Sequence, residues 1–405
     1  MISFKQLSLC MIVKDEEETL ASCLESVKYI VDEIILVDTG STDRTKEIAQ
    51  NYGANIYDFP WTDDFSAARN YGIQKAQGDW ILWLDADEKV EVKDAAMLRD
   101  ILYCSNYDLL AVNLINFIGE KEDKSHFYQI AHHRLFRNHM GFCFENRIHE
   151  TLNITNVLSE TDQKKRVGIV PIRVYHTGYL QTSVEKKGKF ERNLTLLKRE
   201  LGEKEHSPWI HYHIASEYYR VQEYAKAFQH VNQSIRDFLT AKSTPPALLY
   251  KLKYSIMLSL GSIEGAWPSI RLAVSLYPDY VDLHFYMGYI LLARGEYKEA
   301  LASFQKCLEI GEGNLEYLCL YGLGSYQAMY YCGLCHQKLG EPSEAIKCFL
   351  QTVVVSPNFQ DARKALRICL KNQGFTLDSF LDQYYSNEDA QKYQKLISDT
   401  DKNKS

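Results

Sequence analysis

Long apolar runs are missing from this sequence of 405 residues. None approaches the ~20 residues needed to cross a bilayer, so no transmembrane segment is expected. The opening stretch, MISFKQLSLCMIVKDEEE, has too short an apolar run for a signal peptide and no small-residue cleavage site. Basic residues are not in excess. Lys and Arg number 46 against 53 Asp and Glu, a net charge of −7, which argues against a bulk nucleic-acid binder. Neither GxGxxG nor GxxxxGK[ST] occurs, so a Rossmann dinucleotide site and a P-loop are both unsupported. The ten cysteines are scattered without a disulfide framework. They read as reduced, mostly buried thiols of a cytoplasmic protein. The one CxxC, Cys332 and Cys335, lacks a second pair and lies in a helical stretch, so core packing is expected there rather than zinc.

What is present is a hydrophobic content of 46% with 24% charged residues, enough for a large core in more than one domain. The first half alternates in period. LSLCMIV (7–13), EIILVD (33–38), ANIYDFP (54–60) and DWILWLDAD (79–87) read as strands. Between them lie helical patterns, the first with Leu20, Leu24, Val27 and Ile30 on one face. Such alternation predicts a mostly parallel sheet with helices on both faces. Ligands of such sheets bind beyond the carboxyl ends of the strands. Polar residues fall at those ends: Lys14, Asp15 and Glu16 after strand one, Asp38 to Ser41 after strand two, and Asp87 after strand four. The run GDWILWLDADE ends in Asp85-Ala86-Asp87-Glu88. Carboxylates at the edge of an apolar sheet need a positive partner, and hard oxygen ligands suit Mg²⁺ or Mn²⁺ carrying a diphosphate.

The ordered set LCMIVKDEEETLASCLESV, DEIILVDTGSTDRT, FPWTDDFSAARNYG and GDWILWLDADE resembles the catalytic domain of family-2 glycosyltransferases of the GT-A fold. The resemblance is close over about the first 90 residues and looser to about residue 200. It implies an inverting, metal-dependent hexosyltransferase using a nucleotide sugar, with UDP as the expected nucleotide. It also implies roles for particular residues. Asp38 would face the uracil or ribose, although the same residue would serve as a helix cap. Lys14 and Glu16 would line the base. Arg69 would reach a phosphate or the uracil edge, or form a structural ion pair. Asp85, with Ala86, would meet the ribose or a water on the metal, and Asp87 would hold the metal. FENRIHETL and IRVYHTGYL look like elements of the subgroup that includes peptide S-glycosyltransferases and some lipopolysaccharide-core glucosyltransferases. His176 would complete the metal site there, or pack as a core histidine. Glu150 is the candidate general base, with Asp123 as an alternative. The Glu-Asp pair usual in the family is not evident. Arg192 would pair the diphosphate or serve as surface charge.

From about residue 208 strands vanish, and a small residue followed twelve places on by Ala recurs in units of about 34 residues: Ala215 with Ala227, Gly288 with Ala300, and Gly333 with Ala345, with Tyr254 and Ala266 in the degenerate second unit. The third and fourth units are close matches to tetratricopeptide repeats. Helix pairs of this kind stack into an all-α solenoid with a concave groove. That groove would grip a peptide or protein acceptor, brace the catalytic domain or mediate self-association. Tyr218, Tyr250, Tyr286 and Tyr330 would suit a groove. The expected organisation is therefore an α/β GT-A domain at 1–203, a helical repeat domain at 204–375 and a polar tail at 376–405 that frays after about residue 385. A lipid-linked or cell-surface saccharide acceptor would call for a basic or amphipathic patch. Only Lys186, Lys187 and Lys189 form a modest cluster. A non-catalytic repeat scaffold would be marked by decay of the metal motif, which is intact.

Overall fold

A computed structural model describes residues 6–178, 180, 188–202 and 206–402. Lys186, Lys187 and the expected domain boundary at 203/204 lie outside the described residues. The chain divides into two compact units, Met1–Glu223 and Tyr224–Ser405.

The first unit begins β1 (Leu7–Val13), α1 (Leu20–Val27), β2 (Glu33–Asp38), α2 (Thr45–Asn51), β3 (Asn55–Asp58), α3 (Phe65–Ile73) and β4 (Trp80–Trp83). β1 and β2 are buried along nearly their whole length, as strands covered on both faces must be. α1 buries Leu20, Cys23, Leu24 and Val27 on one stripe. α3 starts at Asp64, whose carboxylate accepts the Ala67 N–H at 2.8 Å. Then follow β5 (Glu88–Val90), α4 (Val92–Cys104), β6 (Leu109–Phe117), β7 (Phe127–Arg137), β8 (Phe144–Glu145), β9 (Thr151–Leu152), α5 (Ile154–Val157), α6 (Glu160–Arg166) and β10 (Val167–His176). Two further helices, α7 (Lys189–Leu201) and α8 (Trp209–Arg220), close the unit.

The strands run in the order β3-β2-β1-β4-β7-β6-β10-β5. β3, β2, β1 and β4 are parallel, β7 is antiparallel to both neighbours, β10 is parallel to β6, and β5 is antiparallel to β10. The sheet is therefore mixed and mostly parallel, followed by helical repeats, as expected for a GT-A domain with a solenoid. The chain leaves β1 toward β2 and β3 and then returns to β4 on the other side of β1. That reversal opens a crevice beyond the carboxyl ends of β1 and β4. Leu9, Met11, Trp80 and Leu82 pack on one face of the sheet, and Cys10, Ile81, Trp83 and Phe136 on the other. Pro171 sits inside β10, where pairing with β6 shifts between Ile169 and Arg173. A residue without an N–H is tolerated in a strand at such an irregularity.

The fourth strand is shorter than the expected 79–87. It stops at Trp83, because Glu88 turns back on the chain. Its backbone N–H donates to the Asp85 carbonyl at 3.0 Å, and its Oε2 accepts the Asp85 N–H at 3.0 Å.

The second unit contains α9 (Tyr224–Thr240), α10 (Ala247–Ser259), α11 (Ile263–Ala266), α12 (Ile270–Leu276), α13 (Val281–Ala293), α14 (Tyr297–Ile310), α15 (Tyr326–Leu339) and α16 (Pro342–Val355). The small residues work as the repeat pattern demands. A Cβ on Gly288 would lie 2.8 Å from the Phe304 ring, and one on Gly333 would lie 2.5 Å from Phe349. In the degenerate second repeat the buried Tyr254 takes the small residue's place and its hydroxyl donates to Ser269 at 3.2 Å. The insertion between α14 and α15 is tied down: one Glu312 oxygen accepts the N–H groups of Gly322 (2.8 Å) and Gly324 (3.1 Å) and the Ser325 hydroxyl (2.8 Å). Cys332 and Cys335 are free and buried. No described helix is long and apolar enough to cross a membrane.

The expected polar tail is helical over most of its described length. α17 (Gln360–Asn372) is followed by α18 (Leu377–Tyr384) and α19 (Asn387–Lys402). A capping box at Thr376 and Ser379 starts α18, and Phe380, Leu381 and Ala390 are buried against α16 and α17 residues such as Phe349 and Leu366. Sparse apolar residues at helical spacing hold this polar sequence in place as far as Ala390.

Candidate active site

The turn after β4 is built on buried charge. Glu88 is fully buried and ion-paired to Arg134 of β7. The Arg134 guanidinium lies over the Trp83 ring at 3.7 Å. Burial pushes the Glu88 carboxyl up, against the pull of Arg134. The pair pins the turn from beneath, with the Ala86 methyl in the apolar core. Asp85 and Asp87, on either side of Ala86, remain partly accessible.

β10 delivers the next residue. Its register sets His176 opposite Glu88 of β5 and beside Asn116 of β6. Asn116 Oδ1 is 2.8 Å from His176 Nδ1, so Nδ1–H donates to it and Nε2 is left toward Asp87 Oδ1, 3.5 Å away. A ring so oriented by a second group is how ligating histidines are usually held. Burial lowers the His176 imidazole, but hydrogen bonding and charge from Asp87 outweigh it and raise it. Burial likewise raises Asp87, and His176 more than reverses that. The Asp87 carbonyl accepts the Thr177 N–H at 3.1 Å, which joins the two strand ends. Gly178 closes this corner: a Cβ there would sit 2.4 Å from His176 Nε2 and 2.5 Å from Asp87 Oδ2. The missing side chain leaves a cradle between an imidazole nitrogen and a carboxylate. Lys189 Nζ, at the start of α7, lies 3.8 Å from Asp87 Oδ2.

This donor pair fits a divalent cation that takes its other ligands elsewhere. Among the described residues no cluster of three or more His, Cys, Asp or Glu side chains forms a protein-only metal cage. Mg²⁺ and Mn²⁺ sites commonly use one or two protein ligands, with waters and substrate phosphates completing the shell.

Arg69 and Glu150 meet on the other side of Asp85. Arg69 Nη2 donates to Asp85 Oδ1 and Nε to Glu150 Oε1, both at 2.7 Å. The guanidinium lies over Trp83 at 4.5 Å and is only 8% exposed. Burial raises the Asp85 carboxyl, but Arg69, with Arg134 behind it, holds it below the ordinary carboxylate range. Beside Glu150, the rings of His149 and His213 stack at 4.1 Å.

The other sequence-predicted residues make contacts of their own, and Arg192 is close enough to Glu150 and Glu16 to interact with their charge. Asp38 is 1% exposed, and its carboxylate accepts the N–H groups of Gly40 (3.1 Å) and Ser41 (3.0 Å). It shapes its own loop and pairs with Lys46 at 3.4 Å. Lys14 is exposed on the loop after β1. Glu16 accepts the Thr19 hydroxyl at 2.9 Å, while its N–H donates to Thr45 Oγ1 at 2.7 Å. The loops after β1 and β2 are thus laced together. Asp123 is exposed and caps a turn at Ser125. Arg192 donates to Asn193 Oδ1 at 3.2 Å. Asn116 and Arg134 were not anticipated. A polar residue near the end of the apolar run LLAVNLINF and an Arg inside HHRLF were the available signals. Of the repeat tyrosines, Tyr218 is buried in the first unit, and Tyr330 packs between Phe349 and Phe359.

Residues 8–161 match the family model described as glycosyl transferase family 2, and residues 281–314 match that of the tetratricopeptide repeat. A TPR repeat-containing protein of Synechococcus elongatus is 40% identical over 189 residues, 46% of this chain and 46% of that protein. The glycosyltransferase SunS of Bacillus subtilis is 26% identical over 295 residues, 70% of this chain and 66% of SunS. The chain therefore spans about half the length of the first of these relatives and just under two thirds of the second. Among solved structures, S. aureus TarS 1-349 in complex with UDP-GlcNAc aligns with a TM-score of 0.37 at 14% identity, over 63% of this chain and 87% of that one.

Proposed function

We propose, from the glycosyl transferase family 2 domain that residues 8–161 form, that this chain is an inverting hexosyltransferase taking its sugar from a UDP donor. The acceptor class we assign is a peptide or protein side chain. The observation that carries the reading is the Asp87–His176 pair facing the open corner at Gly178, beyond the carboxyl end of the sheet. Asp87 and His176 would hold Mg²⁺ or Mn²⁺, which when bound neutralises charge on the departing diphosphate. Lys189 adds a positive charge on the same side. Asp85, fixed by Arg69, is the residue for the ribose end of the donor, and Lys14 and Glu16 flank the base.

Glu150 acts as the base. As the acceptor oxygen or sulfur attacks the anomeric carbon, its proton passes to Glu150. The bond from that carbon to the diphosphate oxygen breaks on the opposite face, and the nucleoside diphosphate leaves with the electron pair. Attack opposite the leaving group inverts the anomeric centre. The helical repeats, including the tetratricopeptide repeat at 281–314, are the feature that favours a polypeptide acceptor.

The test is nucleotide release by the purified chain from a panel of UDP- and GDP-hexoses, with and without Mn²⁺ or Mg²⁺. Metal-dependent release of UDP from one donor is expected. Asp87→Asn should lower it by about 10²–10³-fold, the scale of losing one group that stabilises developing charge, with the fold unchanged by circular dichroism. Full activity in excess chelator, or in that variant, would sink the metal assignment. Release that depends on a GDP-sugar alone would sink the uridine assignment.

A further inference from the structure

We infer that Arg69 is a positioning residue that fixes Glu150 against the Asp85 turn, and not a nucleotide-binding residue; the inference rests on the reading of Glu150 as the base. Two of its three guanidinium nitrogens are already engaged. Nε and Nη2 are committed to Glu150 and Asp85 at 2.7 Å, one face lies over Trp83, and Phe144 is 5.5 Å away. Glu150 needs such a support. It lies in a segment with little ladder of its own, since β8 and β9 pair over two residues each. The link between them carries Asn146 at φ 71° and His149 at φ 53°, conformations that non-glycine residues keep only when their surroundings impose them.

α3 supplies that imposition. The Phe65 N–H donates to the Arg147 carbonyl at 2.9 Å, and the Ser66 hydroxyl donates to the Asn146 carbonyl. The Asn70 side chain makes both hydrogen bonds to Phe144, at 2.9 and 2.8 Å. Residues 65, 66, 69 and 70 lie on one stripe of the helix, and all four meet the 144–150 segment. Arg69 alone reaches the carboxylate and ties it to the metal-motif turn. Its planar fork bonds two carboxylates at once, a geometry an ammonium does not reproduce. Glu150 is 11% exposed on its side chain, and among the described residues its Oε2 has no hydrogen-bond partner. That oxygen is the one left to receive a proton.

The experiment compares the full-length wild type, Arg69→Lys, Glu150→Gln and the double variant. UDP binding with Mn²⁺ is measured by calorimetry, and UDP release is measured from the UDP-hexose that the wild type hydrolyses. Arg69→Lys keeps a cation in the site and should bind UDP within about 3-fold of wild type while turnover falls about 10²-fold, the scale of misplacing a reacting group. The double variant should be no slower than Glu150→Gln alone, because both changes act through one carboxylate. Arg69→Lys with weakened UDP binding and intact turnover would overturn the inference, as would a double variant whose losses multiply. Wild-type turnover in Glu150→Gln would remove the base assignment while leaving the transferase reading standing. A wild type that releases no UDP would remove that reading and the inference with it.

Discussion

At the end of β4 position is set by charge. Glu88 and Arg134 are buried together, Arg69 bridges Asp85 and Glu150, and Asn116 holds His176. In the second unit position is set by shape. α13 approaches α14 through Gly288 against Phe304, and α15 approaches α16 through Gly333 against Phe349. Buried ions are the exception there, Lys251 with Asp282 at 2.9 Å being one. Charge pairs are directional and fix the angles of functional groups, but each partner is costly if left alone. Shape is cheaper and repeats along a chain, yet it specifies only how closely two helices lie.

The largest break of this contrast comes from Arg134→Leu. It leaves Glu88 buried without a cation and should destabilise the first unit by about 3–5 kcal/mol. Replacing Glu88 by Leu as well should recover much of that loss in chemical denaturation. A single variant as stable as wild type would show that Glu88 is not held by charge. Gly333→Ala probes the shape side. The added methyl meets the Phe349 ring, and overpacking should cost about 1–3 kcal/mol. The loss should be insensitive to salt and relieved by Phe349→Leu. A salt-dependent loss would contradict packing as its cause.

The smallest effect sharpens the comparison within the first unit, at the His149–His213 stack. Burial lowers both imidazoles below 6.5. The unfolded chain therefore takes up protons that the folded chain refuses, so this stability is complete above about pH 6.5 and is lost as pH falls toward the folded values. His213→Phe should flatten that acid limb by up to about 1.4 kcal/mol per pH unit in a melting-temperature series. An unchanged slope would place the proton uptake elsewhere.

Much of the fold was legible. The alternation from β1 to β4, the carboxylates of the Asp85–Glu88 turn and the small residues of the last two repeats all sit within local windows of regular period. The strand order that mixes the sheet was not. β7 carries His132, His133 and Arg134 in mid-strand, which breaks an apolar pattern. Arg134 is buried there with Trp83 of β4 against its guanidinium, and His132 lies edge-on to the same ring. Asp38 was read as a nucleotide contact or a cap, and Arg69 as a nucleotide contact or an ion pair. The structure shows the loop cap and the ion pairs, and the partners that make them are not contained in a local window. The terminal helices were hidden because few of their residues are apolar.

By itself the sequence determined the alternation of β1 to β4 with their helices, the helical repeats, and which carboxylates and histidines stand at strand ends, since side-chain direction follows the local period. Only the tertiary structure decided who faces whom: His176 beside Asn116, 60 residues away, Arg134 beneath Glu88, 46 away, and Arg69 against Glu150, 81 away. Those partners depend on which strand lies next to which. That choice is settled by packing two faces of one sheet at once, and no stretch of chain contains it.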